Sequence, residues 1–279
     1  MQDAGYRRLA LLTGAFLVLR IASAFVVSQP GYTDAFYYVD VAGRFARGAG
    51  LTADFVWSPL ELGALPVVSH KFWMPLATVL QSGGIAGLGA LIGDFRAAQT
   101  AIVLVAAVVP GATYLCARAL GASDRAALVA AATVGLGGLF APAWVSVDGF
   151  APAALLGALF FLAYRGAASG SVRAGLAAGL LVGLLYLTRA EAALFGLALL
   201  ALALRTPSRR AGLLGSLVAL AIGATWVARD ASVGIPADLF ARAAFLVRYE
   251  DFFALRSPTL EAFVAAFPDA LAAKGGALV

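Results

Sequence analysis

The sequence predicts an all-α membrane protein, a polytopic bundle of about seven transmembrane helices with a long first extracytoplasmic loop and one re-entrant or membrane-surface element. Three observations support this fold class. Of the 279 residues, 62% are hydrophobic and only 13% are charged, whereas soluble domains carry roughly a quarter charged residues. Apolar windows long enough to cross a bilayer recur along the chain. Most arginines lie in short stretches between these windows, where orientation signals lie in membrane proteins.

The first window follows Arg7 and Arg8 and extends from Leu9 to Ser28. Its Ala22-Ser23-Ala24 segment has the small-residue pattern of a signal-peptide cleavage site. The apolar run continues past this segment to Val27 and is long enough to span a bilayer. We therefore expect an uncleaved first transmembrane helix.

Further apolar windows determine the number of crossings. Segment 72–92 contains Gln81-Ser82-Gly83-Gly84, which favours a break and hence a re-entrant or membrane-surface element. If this segment crossed, the arginines of all the later short loops would face outward, against the positive-inside rule. We therefore expect seven crossings with a cytoplasmic N-terminus, in a bacterial plasma membrane. The other windows lie at 97–117, 126–146, 150–164, 174–188, 190–204 and 211–228.

This topology divides the chain and places most acidic residues on one side. Residues 1–228 form the transmembrane module, with the first outer loop at 29–71, and residues 229–279 form an extracytoplasmic C-terminal segment. The candidate active side is therefore the outer one. The acidic residues expected there are Asp34, Asp40, Asp54, Glu61, Asp94, Asp148, Glu191 and Asp230.

Composition excludes several functional classes. The net charge of +5 comes from loop arginines and not from a basic cluster interleaved with aromatic residues, so we expect no nucleic-acid partner. Cys116 is the only cysteine and His70 the only histidine, which excludes an intramolecular disulfide, a cysteine-based metal site and a multi-histidine metal site. The carboxylates leave a divalent metal open, but nothing in the sequence fixes its ligands.

The outer loop opens with a candidate catalytic residue, Asp34, on a segment to Gly48 that reads as an amphipathic helix. Tyr37 and Tyr38 lie three and four positions after it, so one helix face presents a carboxylate beside two phenols. Such a carboxylate could act as general base on an acceptor hydroxyl. The spacing is equally compatible with a helix cap beside an interfacial aromatic belt.

Two further groups are candidate substrate-binding residues. His70 and Lys71 close the loop and could bind a phosphate or donate a proton, or could form a basic anchor beside Trp73 that snorkels to the interface. Arg189 and Glu191 interrupt two apolar runs, where charges indicate either a wet functional cavity or a structural ion pair at a turn.

Asp148 and Arg229 complete the candidate set, since both follow apolar windows at the same predicted face. Arg229 could contact an anionic head group, although ordinary interfacial anchoring explains it as well. Arg20 lies within the first helix, and we expect it to snorkel or to pair with an outer acid.

The joint arrangement resembles the GT-C glycosyltransferases, polytopic enzymes such as protein O-mannosyltransferases and aminoarabinose transferases. One helix is followed by a long loop opening with Asp34-Ala35-Phe36-Tyr37-Tyr38 and by a basic, aromatic and proline-containing element at 70–76. Thr188-Arg189-Ala190-Glu191 is similar to the family's Thr-Arg-x-Glu turn, and Trp226-Val227-Ala228-Arg229-Asp230 resembles its Trp-x-x-Arg-Asn ending.

The resemblance implies transfer of a sugar from a polyprenyl-phosphate donor to an acceptor glycan, lipid or protein at the extracytoplasmic face. It implies Asp34 as the catalytic residue, inversion at the anomeric carbon and membrane lipid as a partner. Because the chain stops at Val279 where another apolar run begins, we expect an incomplete module. A transporter or flippase subunit and a non-catalytic membrane partner are the alternative functions.

Overall fold

The computed structural model describes residues 2–55, 65–71 and 73–233, and this part of the chain is mostly α-helical. Its elements, in chain order, are α1 (Gln2–Val26), α2 (Thr33–Ala46), β1 (Thr52–Ala53), β2 (Val67–Val68), α3 (Leu76–Ile92), α4 (Asp94–Ala119), α5 (Asp124–Leu136), a 3-10 helix (Gly138–Trp144), α6 (Phe150–Ala168), α7 (Val172–Tyr186), a 3-10 helix (Ala190–Leu194), α8 (Phe195–Ala203) and α9 (Arg209–Ser232). Glu61 and nearly all of the predicted 229–279 segment lie outside the described residues. α9 continues to Ser232, past the predicted boundary at 228.

Four of these helices, not seven, are long and apolar enough to cross a membrane: Arg7–Val26 within α1, α4, α6 and α9. The protein is therefore an all-α membrane protein, but the predicted count of seven does not follow from helix length. The window at 126–146 folds as a 13-residue helix and a separate 3-10 helix, and the window at 190–204 as a 3-10 helix and the nine-residue α8. A single spanning helix needs about 20 residues.

The predicted break at Gln81–Gly84 is wrong, because α3 is one continuous helix of 17 residues. Gly84 does not end the helix but allows α3 to pack closely against α4. A Cβ atom at this position would collide with the backbone carbonyl of Ala97 on α4. Small residues commonly allow such close approach between membrane helices.

The helices run between two ends of the bundle, and we name each end after one residue. At the Arg8 end, Arg8 pairs with Asp124 across 2.5 Å, so α1 and α5 begin together. Arg165, near the end of α6, donates to the carbonyl of Ala119, the last residue of α4. α1 and α5 therefore point away from this end, whereas α4 and α6 point toward it.

The opposite end, the Asp34 end, holds both termini of α3. Arg96 donates to the carbonyl of Ala24 at 2.7 Å, which places the start of α4 beside the end of α1. The N–H of Leu76 donates to the carbonyl of Leu187 at 2.8 Å, so α3 starts beside the end of α7. Only Gly93 separates α3 from α4. α3 thus begins and ends at the same end of the bundle.

The predicted amphipathic helix in the first loop is confirmed as α2, which packs along α3. Its buried face contributes Ala35 and Ala42 to a cluster with Ile85 of α3 and Ala97 of α4. Tyr37 and Tyr38 are buried on the same helix. α2 and α3 together therefore form a layer at the Asp34 end, and this layer positions the candidate site.

Arg20 departs from both predictions made for it. The side chain is 1% exposed, so it does not snorkel to solvent. Its Nη2 donates to the carbonyl of Gly135 in the last turn of α5, and the guanidinium lies 5.4 Å from the centre of the Trp144 ring. Within the described residues it has no acidic partner. Arg20 therefore joins α1 to the end of α5.

Glycines bring α7 and α9 into backbone contact, and we expect Gly179→Ala to destabilise the bundle. A Cβ atom at Gly179 would overlap the backbone of Gly215, so the helices would have to separate, at a cost of about 1–3 kcal/mol. Gly157→Ala on α6 is the matched control, because nothing lies within 4 Å of a Cβ atom there. Thermal unfolding in detergent micelles measures both, and equal stability of the two variants would contradict this packing.

Candidate functional site

Asp34 lies in the first turn of α2 and is half-buried at the Asp34 end. It is not the helix cap, because Tyr32 occupies that position and makes no side-chain capping bond. Burial raises the pKa of the Asp34 carboxyl, and the nearby charge of Asp148 raises it further. A hydrogen bond from Thr33 and the charge of Arg189 oppose this shift. The raised pKa suits a carboxylate that accepts a proton during catalysis.

Asp148 lies in the loop before α6 and is 6% exposed. Its carboxylate accepts a hydrogen bond from the Tyr32 hydroxyl and another from the backbone N–H of Phe150, at 2.9 Å. Burial raises the pKa of Asp148, although both hydrogen bonds and the charge of Arg189 act against the shift. Each Asp148 oxygen accepts one hydrogen bond, and together these bonds hold the side chain between Tyr32 and the start of α6.

Arg189 follows α7 and supplies the positive charge of this group. Its Nε lies 2.5 Å from Oε1 of Glu191, and its guanidinium lies 5.5 Å from the centre of the Phe150 ring. Gly149 packs against Thr188, where an added Cβ atom would lie 3.3 Å from the Thr188 carbonyl oxygen. This close approach brings the loop before α6 to the turn after α7. It therefore places Arg189 near Asp34 and Asp148.

The two tyrosines of α2 are adjacent but serve different neighbours. The Tyr37 hydroxyl accepts a hydrogen bond from the backbone N–H of His70, and the two rings lie 5.4 Å apart, edge to face. Burial raises the pKa of Tyr38, and the charges of Asp148 and Asp34 raise it further. Tyr38 therefore borders the acidic group, whereas Tyr37 fixes the segment that carries His70.

His70 is fully buried, which rules out the snorkelling anchor. Its pKa is lowered to about 3, first by burial and also by the charge of Arg229. Nδ1 lies 3.0 Å from the Trp73 carbonyl oxygen, so in the neutral ring Nδ1 is the donor and Nε2 the acceptor. His70 is therefore neutral in the folded protein, and a phosphate-binding or proton-donating role for it stays a prediction. Lys71, the next residue, is half-buried.

Arg229 connects the end of α9 to this segment. Its Nη2 donates to the carbonyl of Ser69 at 3.0 Å and its Nη1 to Oδ1 of Asp230 at 3.0 Å. The guanidinium lies 4.7 Å from the centre of the Trp226 ring, and this ring is 6.4 Å from that of His70. Arg229 therefore holds the segment that carries His70 close to the end of α9.

The site thus has two parts at one end of the bundle. Asp34, Tyr38, Asp148 and Arg189 interact electrostatically, and Glu191 pairs with Arg189. Tyr37, His70 and Arg229 form a second group around the His70 ring. Sequence reasoning missed Tyr32, whose only signal is its place two residues before Asp34. Among the described residues, no cluster of three or more histidine, cysteine, aspartate or glutamate side chains could hold a metal ion.

The buried neutral His70 predicts that acid weakens the fold. Below about pH 6.5 the unfolded chain binds a proton that the folded protein does not, so stability falls with decreasing pH by up to about 1.4 kcal/mol per pH unit. The raised pKa values of Asp34 and Asp148 act in the opposite sense, so a variant is needed to isolate the histidine.

His70→Asn is suitable for this comparison, because the residue has a φ of 61° and asparagine tolerates that conformation. Thermal unfolding of both proteins between pH 7 and pH 5 should show the larger loss in the wild type. Equal losses would contradict a buried neutral imidazole.

Comparisons with protein-family models, with curated proteins and with solved structures find no match for this chain.

Proposed function

We propose that the protein is a glycosyltransferase that moves a sugar from a polyprenyl-phosphate donor to an acceptor at the Asp34 end of the bundle. The observation that carries this proposal is Asp34 itself, a half-buried carboxyl with a raised pKa beside Asp148 and Arg189. General-base catalysis needs a carboxylate of this kind, and a group that departs with negative charge needs a nearby fixed cation. The resemblance of these residues to the GT-C motifs supports the same reaction.

In the proposed step, the acceptor hydroxyl gives its proton to the Asp34 carboxylate. The acceptor oxygen then bonds to the anomeric carbon from the face opposite the phosphate, while the bond from that carbon to the phosphate oxygen breaks. The electron pair of that bond leaves with the polyprenyl phosphate. Inversion of the anomeric configuration follows from this single displacement.

The residues around Asp34 also provide candidates for binding the donor phosphate. Arg189 is the first candidate for the departing phosphate, since its planar guanidinium can hold two phosphate oxygens at once. Lys71 is the second candidate, because it is half-buried and adjoins the His70 segment. Asp148 orients Tyr32 through their hydrogen bond. His70, being neutral, shapes the site with Tyr37 and Trp226 rather than neutralising charge.

We also propose that the Asp34 end faces the extracytoplasmic side, with seven crossings made partly by the shorter helices. One observation supports the number of crossings and another supports the orientation. α3 begins and ends at the Asp34 end, so it adds no crossing. The connections at the Arg8 end carry most of the loop arginines, which are typical of cytoplasmic loops.

Cysteine labelling tests this topology. On a Cys116→Ala background, Ala49→Cys at the Asp34 end should react with an impermeant thiol reagent in intact cells, and Ser169→Cys at the Arg8 end should not. Both positions are exposed, so both should react after the cells are permeabilised. The reverse pattern in intact cells would refute the orientation.

A donor assay tests the function. The purified protein in nanodiscs is incubated with polyprenyl-phosphate sugars labelled in the sugar, together with candidate glycan, lipid and peptide acceptors. We expect the label to leave the polyprenyl-phosphate donor and to appear in one acceptor class. Movement of intact labelled lipid across the bilayer of proteoliposomes, with no transfer to any acceptor, would replace the transferase by a flippase.

A further inference from the structure

An apolar groove lies between α1 and α4, toward the Asp34 end, and has a volume of about 360 Å³. Exposed apolar side chains form much of its wall: Ile21 and Phe25 from α1 and Leu104 from α4 are 45%, 77% and 54% exposed. α1 is the least buried of the four candidate spans, with 11% of its apolar window buried. The groove therefore opens on a surface that a membrane would cover.

One end of the groove carries a cation, Arg96. Its Nη1 donates to the carbonyls of Ala24 and Val27, at 2.7 and 2.9 Å, and to Oε1 of Gln99, at 2.6 Å. None of these acceptors is a carboxylate. Within the part of the chain that the structure describes, Arg96 joins no ion pair. The nearby Asp94 is paired with Arg47 at 2.7 Å.

We propose that this groove binds one acyl chain of an anionic phospholipid, with the lipid phosphate against Arg96. The stretch of α4 from Arg96 to Leu104 rises about 12 Å at 1.5 Å per residue. One leaflet of the hydrocarbon core is about 15 Å deep, so the groove holds most of a chain that enters from the Asp34 end. Its volume lies in the range of pockets that bind single small molecules.

The charge arrangement explains why the lipid is anionic. Nη1 of Arg96 already donates to one carbonyl in the last turn of α1 and to one just after that helix, which is a common role for a basic residue at a helix end. The described contacts use only that nitrogen, and a guanidinium has five N–H donors in all. A phosphate at the mouth of the groove would accept from the remaining donors and supply the missing negative charge.

Filling the groove tests the proposal, and the chain offers a matched control. Thr100 lines the groove and donates to the carbonyl of Arg96, one turn earlier, at 2.8 Å. Thr133 makes the equivalent bond to Val129 of α5, at 2.9 Å, and is exposed away from the groove. Thr100→Phe should block the groove, whereas Thr133→Phe makes the same change at a membrane-facing site elsewhere. Leu104→Trp is a second filling variant should Thr100→Phe fold poorly.

The measurement is native mass spectrometry of the delipidated full chain mixed with equal amounts of dioleoyl phosphatidylglycerol and dioleoyl phosphatidylcholine. We expect one retained phosphatidylglycerol on the wild type and on Thr133→Phe, and none on Thr100→Phe or Leu104→Trp. Arg96→Gln should lose the preference for phosphatidylglycerol, which we expect to be about tenfold in the wild type.

Three results would overturn the proposal: equal retention by the filling variants and the control, no preference for phosphatidylglycerol in the wild type, or displacement of phosphatidylglycerol from the groove by an isoprenyl monophosphate at equal concentration. No sugar donor is present in this experiment, so its outcome is independent of the transferase proposal.

Discussion

Asp34→Asn is expected to lower the rate of sugar transfer by about 10²- to 10⁴-fold, the range that a general base contributes. Asparagine keeps the size of the side chain but cannot take the acceptor proton. Asp34 is half-buried in the first turn of α2 and does not cap that helix, so the fold should survive. Initial rates with a labelled lipid-linked sugar, at saturating donor, measure the effect.

Asp54→Asn is the control for this variant. Asp54 is exposed and pairs with Arg44 of α2, so it lies in the same part of the protein, and loss of a surface pair costs little. The control should keep the wild-type rate. Comparable losses in both variants would show that Asp34 matters for folding and not for proton transfer.

The raised pKa of Asp34 adds a pH dependence to this prediction. A base works only when deprotonated, so the wild-type rate should fall as pH decreases through a pKa above the usual aspartate value near 4. The residual activity of Asp34→Asn should lack this acidic limb. A wild-type rate that stays constant down to pH 4 would contradict the assignment of Asp34 as the base.

Arg189→Gln should have the next largest effect, a loss of about 10²- to 10³-fold in turnover, as is typical when a group that stabilises developing charge is removed. Its cationic guanidinium lies near the carboxyls of Asp34 and Asp148 and over the Phe150 ring. Arg189→Lys retains the charge but not the planar pair of donors, so it should recover only part of the rate. Separate kcat and KM values are the measurement.

Two controls distinguish a phosphate-binding arginine from a structural one. Arg47→Gln removes an exposed arginine paired with Asp94 at the same end of the bundle, and it should change turnover little. Glu191→Gln removes the partner of Arg189. If Arg189 only forms a structural pair with Glu191, both halves of the pair should show the same loss, and this outcome would remove Arg189 from the reaction.

Helical periodicity was the sequence signal that predicted parts of the fold correctly. The amphipathic helix α2 was predictable because its apolar residues recur on one face, and this buried face includes Tyr37 and Tyr38. The continuity of α3 was not predictable, because a glycine has the same local signature whether it ends a helix or lets two helices touch. The packing of Gly84 on Ala97 decides between these roles, and it joins segments whose contact no local pattern reveals.

The candidate site was predictable only as a set of residues on one side. The topology predicted from the sequence places Asp34, Asp148 and Arg189 in one compartment. Their electrostatic interaction depends instead on the packing of Gly149 against Thr188. Burial also excluded one interpretation of His70, that of a basic anchor that snorkels to the interface. His70 and Lys71 are adjacent in sequence, but the histidine is enclosed by Tyr37, Trp73 and Trp226 and stays neutral. Only three-dimensional packing separates these two basic residues.

The most direct test of the account is a structure of the protein in nanodiscs with a donor analogue whose bond between sugar and phosphate cannot break. The account predicts phosphate density within hydrogen-bonding distance of Arg189, with the anomeric carbon facing Asp34. Density for the analogue at the Arg8 end, or in the groove between α1 and α4 with the Asp34 site empty, would contradict it.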